Sequence, residues 1–365
     1  MACLQRAAVT TGGEGQGVVV DEARIRIVHL VFGPPEHGVT RHALDLARAA
    51  GQSVLHLAAT LPTDPALVLD QVRAGTGPDV VLHLHVTDHL LGRTPDEAAQ
   101  LVEALAALRR ISVTLHDLPQ DSDGIDRFRR RSLAYARIVR VATGVQLGSR
   151  HEQALLRGFA PWVEPVVVPL PVEHRVDPQR LAAARRRARA RLDPPTVGVL
   201  GYLYPGKGHA EVLTALDRLG RPDIAMVALG RPSPGHEWLV NDLTRLAGPR
   251  RFEVTGYLDD PALDDRILAI DVPVMAPTHV SASGSVLRWI GTGRRPVVAE
   301  SAYTRELAAA MPGAVRLADD LPTAIGRALA APDDTWQTSR FSWDATQAAA
   351  AQTAAITTPS PDRCR

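Results

Sequence analysis

The sequence predicts an α/β protein made of two doubly wound parallel sheets, one in each of two domains, with a cleft between the domains. Short apolar runs alternate with helical patterns through nearly all of the 365 residues, which is typical of parallel sheets covered by helices on both faces. An arginine-rich stretch that closes at Pro194-Pro195 separates the two halves. A chain of this length suits two domains, and ligands of such folds bind beyond the carboxyl ends of the strands.

The first half of the chain contains predicted strands at 26–32, 80–86, 111–116, 144–147 and 165–168. These runs are rich in valine, leucine and isoleucine, as expected of buried parallel strands. Between them, apolar residues recur with helical spacing at 41–50, 96–110, 125–140 and 151–158.

The second half repeats this rhythm, with predicted strands at 197–200, 224–229, 252–255, 272–276, 296–299 and 315–317. Residues 1–24 lack the apolar core of a signal peptide, and we interpret them as a disordered extension. The predicted domains are therefore a first domain at 25–172, a linker at 173–195 and a second domain at 196–335.

Composition excludes several classes of function. A net charge of +1 argues against a general nucleic-acid binder, and an aromatic content of 4% argues against stacking platforms for single strands. Cys3 and Cys364 lie at opposite ends, which indicates free thiols in a reducing compartment, and we expect a cytoplasmic protein. No apolar run is long enough to span a bilayer.

One lysine stands among 41 basic residues, and the other 40 are arginines. Lys207 lies in the loop Gly201-Tyr-Leu-Tyr-Pro-Gly-Lys-Gly208, between a predicted strand and a predicted helix. The start of a helix presents free N–H groups and a positive dipole end, and both favour phosphate. A slim ammonium fits a tight phosphate pocket better than the broad guanidinium of arginine. The sequence therefore predicts a phosphate site at Lys207.

Two arginine-rich helices, at 127–140 and 182–191, are each either solvated or a basic face for anionic lipid or a polyanionic acceptor. Both interpretations stay open, so peripheral membrane contact is one expectation. The spacing Asp121-Ser-Asp123 is interpreted as a solvated turn. No cysteine or histidine spacing typical of zinc is present, and we expect no metal site. His83 and His85 share one face of their strand and either line the cleft or fill the core.

Six segments, taken in order, resemble the retaining nucleotide-sugar glycosyltransferases of the GT-B fold, of the large family 4 type. They are a glycine-bearing loop and helix at 32–47, a strand ending in His116-Asp117, the helix start Ser149 to Glu152, the Lys207 loop, a long segment at 276–299, and Phe341-Ser-Trp-Asp344. The resemblance implies two Rossmann-like domains and a helix at 341–356 that crosses back onto the first domain. It also implies transfer of a hexose from a nucleotide diphosphate sugar, with retention of configuration.

The resemblance assigns catalytic roles to His116, which would orient the sugar, and to Lys207, which would stabilise the leaving diphosphate. Ser149 and Glu152 are expected only to cap their helix, and Thr40 is expected to cap the helix after the first loop. No metal or cofactor is required beyond the sugar nucleotide itself. The expected donor-binding residues are Gly38, Tyr202, Lys207, Gly208, Arg231, Ser281, Ser283, Gly284, Ser285 and Arg288.

The chain departs from the family pattern at several positions, and the first is His37, which stands where the first loop usually has a Gly-Gly pair. Tyr202 replaces the usual arginine, so another cation must substitute, and Arg231 and Arg288 are the candidates. The two glutamates spaced E-x7-E are absent, and Val280 and Arg288 stand in their places. Two alternatives therefore remain: a non-catalytic partner subunit that binds a sugar or nucleotide, and a transferase whose donor is a non-nucleotide sugar phosphate. The acceptor, whether glycan, lipid or small metabolite, is not indicated.

Overall fold

A computed structural model describes residues 25–58, 64–190 and 193–358. The predicted disordered extension at 1–24, Cys3 and Cys364 lie outside the described residues. Within that part of the chain, no helix is both long enough and apolar enough to cross a membrane.

The first sheet has six parallel strands in the order β2-β1-β3-β4-β5-β6. Its strands are β1 (Arg26–Phe32), β2 (Ser53–Leu57), β3 (Val80–Val86), β4 (Arg110–Leu115), β5 (Gly144–Leu147) and β6 (Val166–Val167). Its helices are α1 (Gly38–Ala49), α2 (Pro65–Gly75), α3 (Asp88–Leu91), α4 (Pro95–Leu108), α5 (Ile125–Val141) and α6 (Arg150–Arg157).

The second sheet also has six parallel strands, in the order β12-β11-β10-β7-β8-β9. They are β7 (Thr196–Leu200), β8 (Ala225–Leu229), β9 (Phe252–Val254), β10 (Val272–Met275), β11 (Val297–Ala299) and β12 (Arg316–Ala318). The helices are α7 (Pro178–Arg189), α8 (His209–Arg218), α9 (Trp238–Ala247), α10 (Asp260–Ala269), α11 (Gly284–Gly291), α12 (Ala302–Ala310), α13 (Leu321–Ala330) and α14 (Ala345–Thr357).

The structure confirms the predicted fold class, because two parallel α/β sheets stand in separate domains. Each sheet has its own apolar core, built mainly from valine, leucine and alanine of the strands and their covering helices. The central strands β3 and β7 are buried along their whole length. β7 therefore reads as a nearly continuous apolar run, whereas β3 places the buried His83 and His85 on one face.

The start of α1 differs from the prediction in one detail. His37 is the N-cap, and its Nδ1 accepts a 3.3 Å hydrogen bond from the backbone N–H of Val39. Thr40 does not cap the helix, because its buried hydroxyl donates to the carbonyl of Phe32 at 2.7 Å. The threonine thus ties the helix to the end of β1.

Two segments connect the domains. Helix α7 packs against the second domain through Ala184 and Leu181, in a small cluster with Trp336. Helix α14 packs against α1 and β5 of the first domain, and the Trp343 indole just before it donates to the carbonyl of Pro169 at 2.9 Å. The chain therefore crosses between the domains before α7 and again before α14.

The arginine-rich helices present fewer free charges than their sequences suggest. On α7, Arg180 pairs with Asp265 at 2.6 Å and Arg189 pairs with Asp333 at 2.8 Å. On α5, Arg131 is fully buried. Intramolecular carboxylates thus neutralise part of each basic face, and the predicted membrane contact stays a prediction.

Candidate functional site

The carboxyl ends of the two sheets face each other across the domain interface. Glu36, beyond β1, lies 3.4 Å from Arg231, beyond β8. Ser149, beyond β5, donates a 2.7 Å hydrogen bond to the carbonyl of Ser281, beyond β10. This is the edge at which doubly wound sheets bind ligands, so the predicted cleft exists and is lined from both sides.

The Lys207 loop connects β7 to α8, as the sequence predicts. Its backbone depends on glycine at two positions. Gly208 has φ +107°, and a Cβ there would meet the carbonyl of Ala276 at 2.6 Å. Gly201 has φ +118°, and a Cβ there would stand 3.0 Å from both Lys207 Cε and Ser285 Oγ. Side chains at either position would displace the loop or the lysine.

Lys207 is a partly buried cation that contacts a serine hydroxyl and an aromatic ring. Its Nζ donates to Ser285 Oγ at 3.1 Å and lies 5.8 Å from the centre of the Tyr204 ring. No carboxylate of the described residues forms an ion pair with it. Burial lowers the pKa of Lys207 to about 8, so the ammonium is still mostly charged at pH 7. A partly buried charge of this kind is stabilised when an anion enters.

The start of α11 is the second half of this site. Ser283 is the N-cap, with its Oγ accepting from the N–H of Val286, and Ser285 lies in the first turn. The first N–H groups of a helix have no partner within the helix. At Gly284 no atom lies within 4 Å of the position that a Cβ would take, which leaves room for a ligand. Ser283 corrects the prediction in part, because its own N–H already donates to the Tyr303 hydroxyl at 3.2 Å.

The two arginines that were candidates to replace the missing cation have different partners in the structure. The Arg231 guanidinium lies 5.6 Å from the ring centres of both Tyr202 and Tyr257, at the cleft. Arg288 instead pairs with Asp260 at 3.1 Å and with Asp264 at 2.7 Å. Arg288 is therefore engaged by carboxylates of its own domain, whereas Arg231 is not, and the phosphate contact of Arg288 stays a prediction.

The ion-pair network around Arg288 joins the domains on one side of α1. Asp260 also pairs with Arg41 of α1 at 2.5 Å and with Arg175 of the linker. A cavity of about 410 Å³ lies beside this network and is lined by both domains and the linker. It holds charges of both signs and does not include Lys207, so we do not assign the phosphate site to it.

The Ser281 side chain is engaged in the domain contact, and donor binding by its backbone N–H stays a prediction. Its hydroxyl donates to Glu152 Oε1 at 2.8 Å, and the other carboxyl oxygen of Glu152 accepts from the N–H of Gly148 at 2.7 Å. Ser281 is therefore part of the domain contact and does not offer its side chain to a donor. Ser149 caps α6 as predicted, with the N–H of Glu152 donating to its Oγ at 2.9 Å.

Protonation of Glu152, at the contact between the domains, makes the stability of the folded protein depend on pH. Burial raises its pKa from 4.5 to about 7, although the hydrogen bonds from Ser281 and Gly148 oppose the shift. The folded protein thus binds this proton more tightly than the unfolded chain does. The stability contributed by protonation is fully present below about pH 4.5 and is lost as the pH rises through about 7.

We therefore expect Glu152→Gln to lose this dependence. Between pH 4.5 and 7.5, the free energy of unfolding of the wild type should fall by about 3 kcal/mol relative to the variant. Urea denaturation across this range measures the difference. Glu164→Gln, at an exposed glutamate, is the matched control, and the same pH dependence in both variants would contradict the assignment.

His116 lies at the end of β4 and is buried, with its Nε2 3.1 Å from His85 Nδ1. His83 and His85 are buried beside it, which favours the core interpretation of that pair. The sequence indicated no metal site, but the structure brings His42, His85 and His116 together from three separate elements. Burial raises the pKa of Tyr204 in the Lys207 loop, and the charge of Asp117, the residue after His116, adds to that shift.

Gly38 is the first residue of α1, and no atom lies within 4 Å of the position that a Cβ would take. His209, which follows Gly208, was not predicted. It is buried, and both of its ring nitrogens lack a hydrogen-bond partner among the described residues. Its sequence position gives no signal, because its burial comes from packing at the start of α8.

Several solved structures resemble this chain over 91% of its length. Anabaena HepE in complex with UDP and glucose is 18% identical over 91% of this chain and 94% of its own, with a TM-score of 0.63. The sucrose-phosphate synthase of Thermosynechococcus elongatus is 16% identical over 91% and 94%, with a TM-score of 0.65. The chain has the GT-B fold. A Burkholderia vietnamiensis trehalose-phosphate synthase described as UDP-forming is 14% identical over 91% and 95%, with a TM-score of 0.63. No protein-family model and no curated protein matches the sequence.

Proposed function

We propose that this protein is a glycosyltransferase that moves a hexose from a nucleotide diphosphate sugar to an acceptor. The observation that carries the proposal is Lys207, which contacts the first turn of α11 at the carboxyl ends of the second sheet. No carboxylate in the described part of the chain forms an ion pair with it. The solved neighbours with this fold include HepE bound to UDP-glucose, 17% identical, which makes UDP-sugars the first donors to test.

In this proposal the charge of the departing diphosphate is stabilised from two sides. Lys207 supplies a full positive charge, and the N–H groups of Gly284 and Ser285 supply the helix end. Arg231, held against Tyr202, lies beyond the neighbouring strand and takes the role of the family's missing arginine. Its pairing with Glu36 is 3.4 Å long and partly exposed, so an incoming phosphate displaces the carboxylate at little cost.

The first domain would present the sugar and the acceptor. Gly38 leaves space at the start of α1, and His116 would orient the sugar through Nδ1, since its Nε2 faces His85. Retention of configuration is proposed from the family resemblance alone. The anomeric configuration of an isolated product, determined by NMR, tests this point.

A non-catalytic subunit is the second candidate, and a specific observation favours it. The family's two glutamates are replaced by Val280 and Arg288, and the Arg288 guanidinium forms ion pairs with Asp260 and Asp264. A subunit of this kind would bind a nucleotide or sugar but release no product.

Turnover separates the two candidates. We expect one member of a panel of nucleotide sugars, beginning with UDP-glucose, to release its nucleoside diphosphate slowly to water and faster with a suitable sugar, lipid or metabolite acceptor. Chromatographic detection of the free nucleotide is the measurement. Binding of a donor without release under any acceptor would support the non-catalytic candidate. Release of inorganic phosphate from a simple sugar phosphate would support the non-nucleotide one.

A further inference from the structure

Five histidines form one cluster inside the first domain, between α1 and the sheet. Neighbouring ring centres lie 5.0–6.0 Å apart. The members come from β1, α1, β3 and the end of β4, and they are His29, His42, His83, His85 and His116. Buried polar groups need partners, and this number of imidazoles in one core needs an explanation beyond packing.

The cluster divides into two parts by its hydrogen bonds. His29 bonds Gln52 at 2.7 Å, and His83 bonds Thr114 at 3.0 Å. Among the described residues, the side-chain hydrogen bonds of His42, His85 and His116 are fewer: His85 contacts His116 at 3.1 Å and Gln352 at 3.5 Å. We propose that His42, His85 and His116 together bind a first-row transition-metal ion such as Zn²⁺.

The spacing of the nitrogens fits such an ion. One ring nitrogen from each of the three histidines lies within 4.8 Å of the others. His85 Nδ1 and His116 Nε2 are 3.1 Å apart, and zinc–nitrogen bonds of about 2.0–2.1 Å in a tetrahedral site place two ligand nitrogens about 3.4 Å apart. His42 is partly exposed, so its ring has room to rotate onto the ion, and the ion has a path from solvent.

The chemistry of the ligand set selects the kind of metal. Three imidazoles suit zinc, cobalt, nickel and copper, whereas magnesium and calcium prefer oxygen ligands. Metal ligation requires the neutral ring. Burial disfavours the charged form of an imidazole, and His85 and His116 are both buried.

A second layer of contacts is available to orient the ligands. The side-chain amide of Gln352, on α14, lies 3.5 Å from His85 Nε2. The oxygen and nitrogen of an amide exchange places by a simple flip, and the oxygen would then accept the Nε2–H of a His85 that binds metal through Nδ1. A bound ion would thus link α1 to β3 and to the end of β4, and through Gln352 to α14.

A second group of potential ligands, Asp88, His89 and Asp117, does not carry the same inference. Arg131 pairs with Asp88 at 3.2 Å and with Asp117 at 3.0 Å. A metal ion at these carboxylates would therefore compete with the Arg131 guanidinium. The proposal for the three histidines does not depend on the proposed sugar transfer, because it rests on their positions alone.

Titration of the chelator-treated full-length protein with Co²⁺ tests the proposal. We expect one equivalent to bind with a Kd in the micromolar range or below and to produce the visible d–d absorption of cobalt on nitrogen ligands. Zn²⁺ should bleach that absorption and raise the Tm. His42→Gln, chosen because His42 is partly exposed and its loss leaves the core filled, should weaken Co²⁺ binding by about 100-fold or more.

Two matched variants complete the experiment. His174→Gln, at an exposed histidine of the linker, should bind Co²⁺ as the wild type does. His89→Gln removes one half of the surface pair His37–His89, whose Nε2 atoms are 3.3 Å apart, and should also leave binding intact. The proposal is overturned by an absence of stoichiometric Co²⁺ binding, by unchanged binding in His42→Gln, or by loss of the absorption in His89→Gln instead.

Discussion

Lys207→Ala should lower the rate of nucleotide release from the donor by about 10²–10³-fold, because it removes the positive charge that contacts the first turn of α11. The ammonium contacts Ser285, and no described carboxylate competes for it. Its charge is therefore available to the diphosphate, whose negative charge grows as the sugar departs. The effect should appear mainly in kcat, with a smaller change in KM, because the contact strengthens in the transition state. Steady-state kinetics with the best donor measures it.

Lys207→Arg sharpens this prediction. A Cβ at Gly201 would already stand 3.0 Å from Lys207 Cε, so the space around the side chain is narrow. We expect the broader guanidinium to restore only part of the lost rate. Arg186→Ala, on the exposed face of α7, is the control for loss of one positive charge and should retain full activity. Equal activity of Lys207→Ala and the wild type would show that phosphate binds elsewhere.

Arg131→Met should destabilise the protein by about 3–5 kcal/mol, the usual cost of removing one partner from a buried ion pair. Arg131 is 1% exposed, and its guanidinium pairs with Asp88, Asp117 and Asp123. Burial alone would lower the pKa of Arg131, but the surrounding groups reverse this and raise it. The variant leaves Asp88 buried without its cation. Urea denaturation at pH 7 should show a lower midpoint.

Arg129→Met is the matched control for Arg131→Met. It lies two residues earlier on α5 and is exposed, so we expect its stability to stay within about 0.5 kcal/mol of the wild type. Similar midpoints for the two variants would contradict a structural role for Arg131. Because Asp117 faces the Lys207 loop, we also expect Arg131→Met to lower donor affinity where the protein remains folded.

Most of the fold could be predicted because its strands are buried on both faces. Largely apolar runs mark β1, β3, β7 and β8, and their predicted bounds agree with the structure to within one residue. Strand β2 was not predicted. It lies at the edge of its sheet, and its first residues are exposed, so Ser53 to Leu57 lacks the apolar continuity that identified the others.

The candidate site was predicted less completely, because its members depend on tertiary contacts. Lys207 could be predicted as a phosphate ligand, because it is the single lysine of the chain and lies in a loop between a strand and a helix. Arg288 and Ser281 had plausible positions, but whether their polar atoms were free depended on partners far along the chain, Asp260 and Glu152. The sequence placed His83 and His85 on one face of a strand, but it did not indicate that His42, His85 and His116 meet, because these three come from separate elements with no fixed spacing.

Calorimetric titration of the wild type and of Lys207→Ala with UDP, other nucleoside diphosphates and their sugars tests the central claim most directly. The account predicts that one nucleotide binds the wild type and that the alanine variant binds it more weakly by about 1.5–3 kcal/mol, as for a hydrogen bond to a charged group. Binding of equal strength in both proteins, or no binding of any nucleotide at millimolar concentration, would contradict a donor phosphate site at Lys207.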